Sequence, residues 1–195
     1  MRPALALVLL FLSSAAYAAP IQAPAPSKPA APVPKEVNSE DKLFAQLREV
    51  DRAEDAQPIE QKLMAMFRAS GSPSVDLLIT RVQAALSATD KTTAKKLIDA
   101  VTSIAPTYAE GWHIRAGMEH AEGDDTAALV SLQKVVQLNP RHFRALDELA
   151  DMLDEYGDKA GALKLYRRAL ELNPHLPGAT QKVRELTTSV EGRDI

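Results

Sequence analysis

Pro106, Pro140 and Pro174 stand thirty-four residues apart, and the chain around them repeats with the same period. Ala94, Ala128 and Ala162 each lie twelve residues before one of these prolines; Ile98, Leu132 and Tyr166 lie eight before, and Val101, Val135 and Ala169 five before. Leu78, Trp112 and Leu146 share a further position, and Val82, Ala116 and Ala150 another. A period of this length means a unit that cannot bury its apolar face alone and must stack on copies of itself. Within each unit the small residues let two helices approach closely, and the large residues at helical spacing fill the gap beside them. Gly123-Asp124 and Gly157-Asp158 supply a tight turn followed by an Asp suited to cap the next helix, and Thr89-Asp90 does the same with a poorer turn residue. Asn139-Pro140 and Asn173-Pro174 end each second helix, because proline disfavours a helical residue before it.

The unit resembles the tetratricopeptide repeat. In the copy at 143–176, Leu146, Leu149, Ala150, Leu153, Ala162, Tyr166, Ala169 and Pro174 meet the family's large, apolar, small and aromatic positions. In the copy at 109–142, Trp112 takes the tryptophan position and Ala116, Gly123, Ala128, Leu132 and Pro140 follow in register, with Arg115 and Glu119 departing. The copy at 75–108 keeps Leu78, Val82, Ala94, Ile98 and Pro106, with Arg81 and Thr89 as departures. These departures are expected to loosen packing without changing the fold. The resemblance implies an all-α, right-handed stack of antiparallel helix hairpins, an α-solenoid, that does scaffolding or adaptor work.

Two further helical segments flank the repeats. Residues 38–73 read as a hairpin, with Asn38 capping a helix that bears Leu43, Phe44, Leu47 and Val50. Pro58 opens a second helix bearing Ile59, Leu63, Met66 and Phe67. Arg48 and Glu60 stand where the repeat wants small residues, so this hairpin is either a degenerate fourth repeat or an unrelated N-terminal cap. Residues 177–190 carry Ala179, Val183, Leu186 and Val190 at helical spacing on a polar segment, as expected of a C-terminal capping helix.

The first residues have the layout of a secretory signal peptide: Arg2, an apolar run from Ala4 to Leu12, and Ala16-Tyr17-Ala18 as an A-x-A site. Residues 1–18 are therefore expected to be removed by cleavage after Ala18, which places the mature chain in the bacterial periplasm with no membrane span. Retention of the run as an anchor is the other reading. Residues 19–37 hold six prolines, mostly interleaved with alanine, which makes them an extended spacer. The chain has no cysteine, so neither a disulfide nor a lipid-bearing cysteine contributes. With 23 Lys and Arg against 26 Asp and Glu and no basic run, it is a poor candidate for nucleic-acid binding.

No catalytic constellation stands out. His142 and His175 follow the repeat prolines and read as surface turn residues. His113 and His120 are seven apart on one helix, about 10 Å along its axis, too far to ligate one metal directly. There is no phosphate loop, nucleophile elbow or paired Cys motif, and no cofactor or metal is called for. The informative constellation is acidic. The resemblance places Arg144, Asp147, Asp151 and Asp154 on the inner groove of the third repeat, Glu110, His113, Gly117 and His120 in the second, and Asp76, Ile79, Gln83 and Leu86 in the first. The lysine, asparagine and arginine set with which one subclass of the family clamps C-terminal carboxylates is absent from these positions. The expectation is a non-enzymatic interaction module whose concave groove takes a peptide or protein segment, with a preference for basic groups. The alternatives are a periplasmic chaperone or assembly factor for envelope proteins and, more remotely, a metal-dependent hydrolase built on His113 and His120.

Overall fold

The computed structural model describes residues 39–192, which hold nine α-helices and no strand. Expectations for the leader, the proline-rich spacer and the Asn38 cap fall outside the described residues. Six helices form three consecutive hairpins: α3 (Pro73–Ser87) with α4 (Lys91–Ile104), α5 (Ala109–Ala121) with α6 (Asp125–Leu138), and α7 (Phe143–Glu155) with α8 (Lys159–Leu172). The small residues read from the period sit where the helices meet: Ala94, Ala128, Ala150 and Ala162 are wholly buried. The second helix of each hairpin starts on its Asp. Asp90 accepts the Thr93 N–H at 3.0 Å, Asp124 the Ala127 N–H at 3.1 Å and Asp158 the Gly161 N–H at 2.9 Å. The turns before these caps need a left-handed residue. Gly123 and Gly157 adopt φ of +80° and +85°, and Thr89 is forced to +60° at the equivalent place.

Arg115 and Glu119 are paired with one another in the second repeat. Glu119 is buried, takes the Arg115 Nε–H at 2.7 Å and accepts the Ser131 hydroxyl at 2.6 Å, so the two departures form a paired polar insert between α5 and its neighbours. The buried polar groups of this insert are thereby satisfied.

The terminal helices complete the core. α9 (Ala179–Val190) lies against α8 through Ala179 and Leu186. α1 (Ser39–Glu49) and α2 (Ala53–Arg68) form a hairpin whose apolar face does not continue the period. Phe44, Leu47, Leu63 and Met64 join Phe143, Leu146, Tyr166 and Leu176 in one core, so the hairpin lies along the turns that link the repeats. Phe44 meets the edge of Phe143 at 6.4 Å, and the Arg141 guanidinium sits 4.1 Å over the Phe44 ring. Glu60, anomalous as a repeat residue, is explained by this placement: it accepts the Asn173 amide at 2.8 Å and pairs with Arg144 at 3.6 Å. α2 starts at Ala53, earlier than Pro58 suggests, and Pro58 lies inside it. There it removes the backbone bond that an N–H at this position would make to the Glu54 carbonyl. No helix among the described residues is long and apolar enough to cross a membrane.

Candidate ligand groove

α5 and α7 are the first helices of successive hairpins, so their inner faces stand side by side and form the walls of a trough. Gly117 and His120 from α5 face Glu148, Asp151 and Glu155 from α7, over a floor of Ala116, Leu132 and Met152, around a cavity of about 480 Å³. Gly117 borders open space in the trough, since a Cβ there would meet nothing within 4 Å. His120 is exposed and held at the mouth by Asp125, 2.7 Å from its Nδ1, and Asp125 also accepts the Tyr156 hydroxyl at 2.7 Å.

A second cavity of about 510 Å³ lies where α2 crosses the first turn of α7. Gln57, Glu60 and Gln61 of α2 face Arg144, Asp147 and Glu148 of α7, with His175 and Leu176 beside them. Glu148 lines both cavities, which therefore adjoin along α7.

The acids expected to act as one row are used in three ways. Asp154 is paired with Lys182 of α9 at 2.8 Å, which takes it out of the open groove. Asp151 accepts the Tyr166 hydroxyl and lines the α5–α7 trough. Asp147 has no hydrogen-bond or ion-pair partner among the described residues. Burial, with Asp151 and Glu148 close by, raises its pKa from 3.8 to about 6. Arg144 faces Glu60, so its charge is already opposed.

Behind the trough, Glu110 and His113 belong to a buried network that includes His142. His142 is fully buried, contrary to the expectation of a surface turn residue. Its Nδ1 accepts the Ala145 N–H at 3.1 Å and caps α7. Because Nδ1 must then be bare, the ring proton is on Nε2, which donates to Glu110 Oε2 at 3.1 Å. The ring stacks on Phe67 of α2 at 5.1 Å and meets the edge of His113 at 4.6 Å. His113 faces a carboxylate from each nitrogen, Glu148 at 2.9 Å and Glu110 at 3.5 Å. Burial opposes its charge, but hydrogen bonds and attraction from Glu110 and Glu148 outweigh that and raise its pKa to about 9. For Glu110, burial likewise opposes ionisation, and hydrogen bonds from His113 and His142 overcome it, lowering the pKa to about 2. Glu110 is therefore a buried anion inside this network and does not face the open groove. His175 is partly buried, also departing from a plain surface role, and its Nε2 has no hydrogen-bond partner.

Glu110, His113 and His142 bring three ligand-type atoms within 4.8 Å of one another. The proton arrangement does not suit a cation. A metal on His142 Nε2 would require a proton on Nδ1, which would then point at the Ala145 N–H, donor against donor. The three residues are better matched as a hydrogen-bonded seam that fixes α5, the turn before α7, and α2.

No family model matches the chain. A TPR repeat-containing protein of Rhizobium etli is 28% identical over 113 residues, 58% of this chain and 55% of the relative, so the chain spans about half the length of the curated relative it matches. The TPR domain of Sgt2 from Aspergillus fumigatus superposes with a TM-score of 0.53 at 21% identity, covering 62% of this chain and 81% of that one. The type III secretion chaperone SycD of Yersinia enterocolitica, in complex with a peptide of the translocator YopD, gives a TM-score of 0.54 at 15% identity, covering 60% and 95%. The stacked hairpins of this chain have the fold of tetratricopeptide-repeat proteins, an all-α solenoid, and its sequence is similar to that of a TPR repeat-containing protein.

Proposed function

We propose that this chain is a non-enzymatic interaction module that takes an extended peptide or protein segment bearing Lys or Arg into the trough between α5 and α7. One observation carries the proposal: the trough has an apolar floor and three carboxylates in its wall, with no Lys or Arg among its lining residues. Apolar contact supplies affinity, and the carboxylates select and steer a cationic segment. The SycD neighbour was solved with a peptide, which supports the same use of the fold. Chemistry is disfavoured because neither cavity lining contains a Ser, Thr or Cys, and His113 is held as a cation between two carboxylates. The apolar run after Arg2 and the Ala16-Tyr17-Ala18 site favour export to the periplasm, with a mature chain beginning at Ala19. Mass spectrometry finding Met1 or Arg2 on the native protein would remove that part.

The groove is tested with Gly117→Leu, which puts a side chain into open space inside the trough. The variant is expected to keep its thermal midpoint and lose binding to partners crosslinked to the wild type. Asp151→Asn with Glu155→Gln should weaken binding at low salt and flatten its salt dependence, because screening acts over about 8 Å at physiological strength. Undiminished capture by Gly117→Leu would place the partner elsewhere. The SycD comparison also favours a second reading, a chaperone for envelope proteins, which differs in engaging unfolded clients rather than one folded partner.

A further inference from the structure

The two adjoining cavities along α7 are bounded by α2 at the start of that helix. α2 crosses the first turn of α7, and beyond it Arg141 is tied to α1 by Asp41 and by Glu40 at 3.4 Å. A segment lying in the trough and running toward the start of α7 therefore comes up against the α1–α2 hairpin. The group waiting there is Asp147, a partly buried carboxylate without a partner among the described residues, in a lining it shares with Glu148, Gln57 and Gln61. The guanidinium in the lining, Arg144, is already opposed by Glu60. His175 Nε2, buried and without a hydrogen-bond partner, adds a second unspent polar atom in the same wall.

We infer that the cavity between α2 and α7 receives the free amino terminus of the bound segment, whose α-ammonium pairs with Asp147. The inference rests on the groove reading above and specifies which end of the ligand goes where. Charge decides the polarity. A carboxyl terminus would meet Asp147, Glu148 and Glu60 with only an engaged Arg144 to offset them, whereas an ammonium finds an unpaired carboxylate and amide oxygens to accept its other protons. Geometry sets the length read. From Asp147 to Glu155 the helix rises about 12 Å, which matches about four extended residues. Burial and like charges already penalise the ionised Asp147, so an arriving cation relieves a strain that exists in the empty protein.

The test uses the peptide amide Ala-Lys-Ala-Lys and its N-acetylated twin, titrated into the ¹⁵N-labelled protein and followed by NMR. The free-amine peptide should shift the backbone amides of Asp147 and Gln61 saturably and bind at least about tenfold tighter than the acetylated one, the scale of one charge-assisted contact. Asp147→Asn should bring the free-amine peptide to the acetylated value and leave the acetylated value unchanged. Equal affinities on the wild type, an advantage that survives Asp147→Asn, or an acetylated peptide that still shifts Asp147 through its lysines would each overturn the inference. Shifts at Gly117 and Met152 alone would overturn it while leaving the groove function standing. A protein that shows no shifts in either cavity would remove both.

Discussion

Asp147→Asn should make the protein more stable at neutral pH, although it deletes a charged group and adds no contact. The folded carboxyl titrates at about 6 instead of 3.8, through burial first and through Asp151 and Glu148 second. A shift of about two pKa units corresponds to about 3 kcal/mol at about 1.4 kcal/mol per unit. The side chain keeps part of its surface in water, so screening reduces this to about 1 kcal/mol. Asparagine has the same shape and no charge, and it removes the penalty. The sign follows from the protons held in each state. Above pH 6 both states are ionised and the folded state bears the full penalty. As pH falls from about 6 to 3.8 the folded carboxyl holds a proton that the unfolded chain has released, so the penalty shrinks; below 3.8 it is gone. Urea denaturation of wild type and variant at about pH 7.5 and about pH 3.5 should give a difference of about 1 kcal/mol that disappears in acid. A variant equally or less stable at neutral pH, or a gain that does not change with pH, would refute the reasoning. A gain would also show that the wild type keeps this carboxylate at a cost in stability, as binding residues do.

Ala162→Trp should lower stability by at least about 1–3 kcal/mol, because Ala162 is wholly buried where α8 meets α7; an unchanged thermal midpoint would show the helical register to be wrong. Thr89→Gly should raise stability by about 1 kcal/mol in chemical denaturation, since a β-branched residue at φ +60° occupies a turn where the equivalent positions carry glycine. His142→Leu removes a helix cap and one donor to the buried Glu110, and should cost about 2–4 kcal/mol by the same measurement. The network should also shape the pH profile of stability. Glu110 contributes above pH 4.5 and loses its contribution as pH falls toward 2, whereas His113 contributes fully below 6.5 and loses its share as pH rises through about 9. A Glu148→Gln variant whose alkaline limb matched the wild type would argue against the His113 part.

The period was legible because it records a contact that recurs. Every hairpin must bring two helices together at the same point, so Ala94, Ala128 and Ala162 had to be small, and the Asp caps and turn glycines had to follow at fixed offsets. The α1–α2 hairpin has no such record. Phe44, Leu47 and Leu63 at helical spacing say which face is buried, but amphipathicity is silent about what covers it, and a stacked repeat and a strap across the turns need the same stripe. The signal that separates them was polar. Glu60 breaks the repeat pattern because it serves Asn173 and Arg144 more than eighty residues away in the chain. The burial of His142 is illegible in the sequence for a related reason, since a residue after a repeat proline is exposed only if nothing lies over the turn, and here Phe67 of α2 does. The resemblance and the spacing on one helix place the acidic row, yet its division among Lys182, Tyr166 and an Asp147 unpartnered among the described residues depends on α9, α8 and α2. Chemistry on a solenoid's inner face is thus set jointly by the helix that displays it and by the terminal elements that cross it. The residues most informative about a ligand are those that the terminal elements leave without a partner.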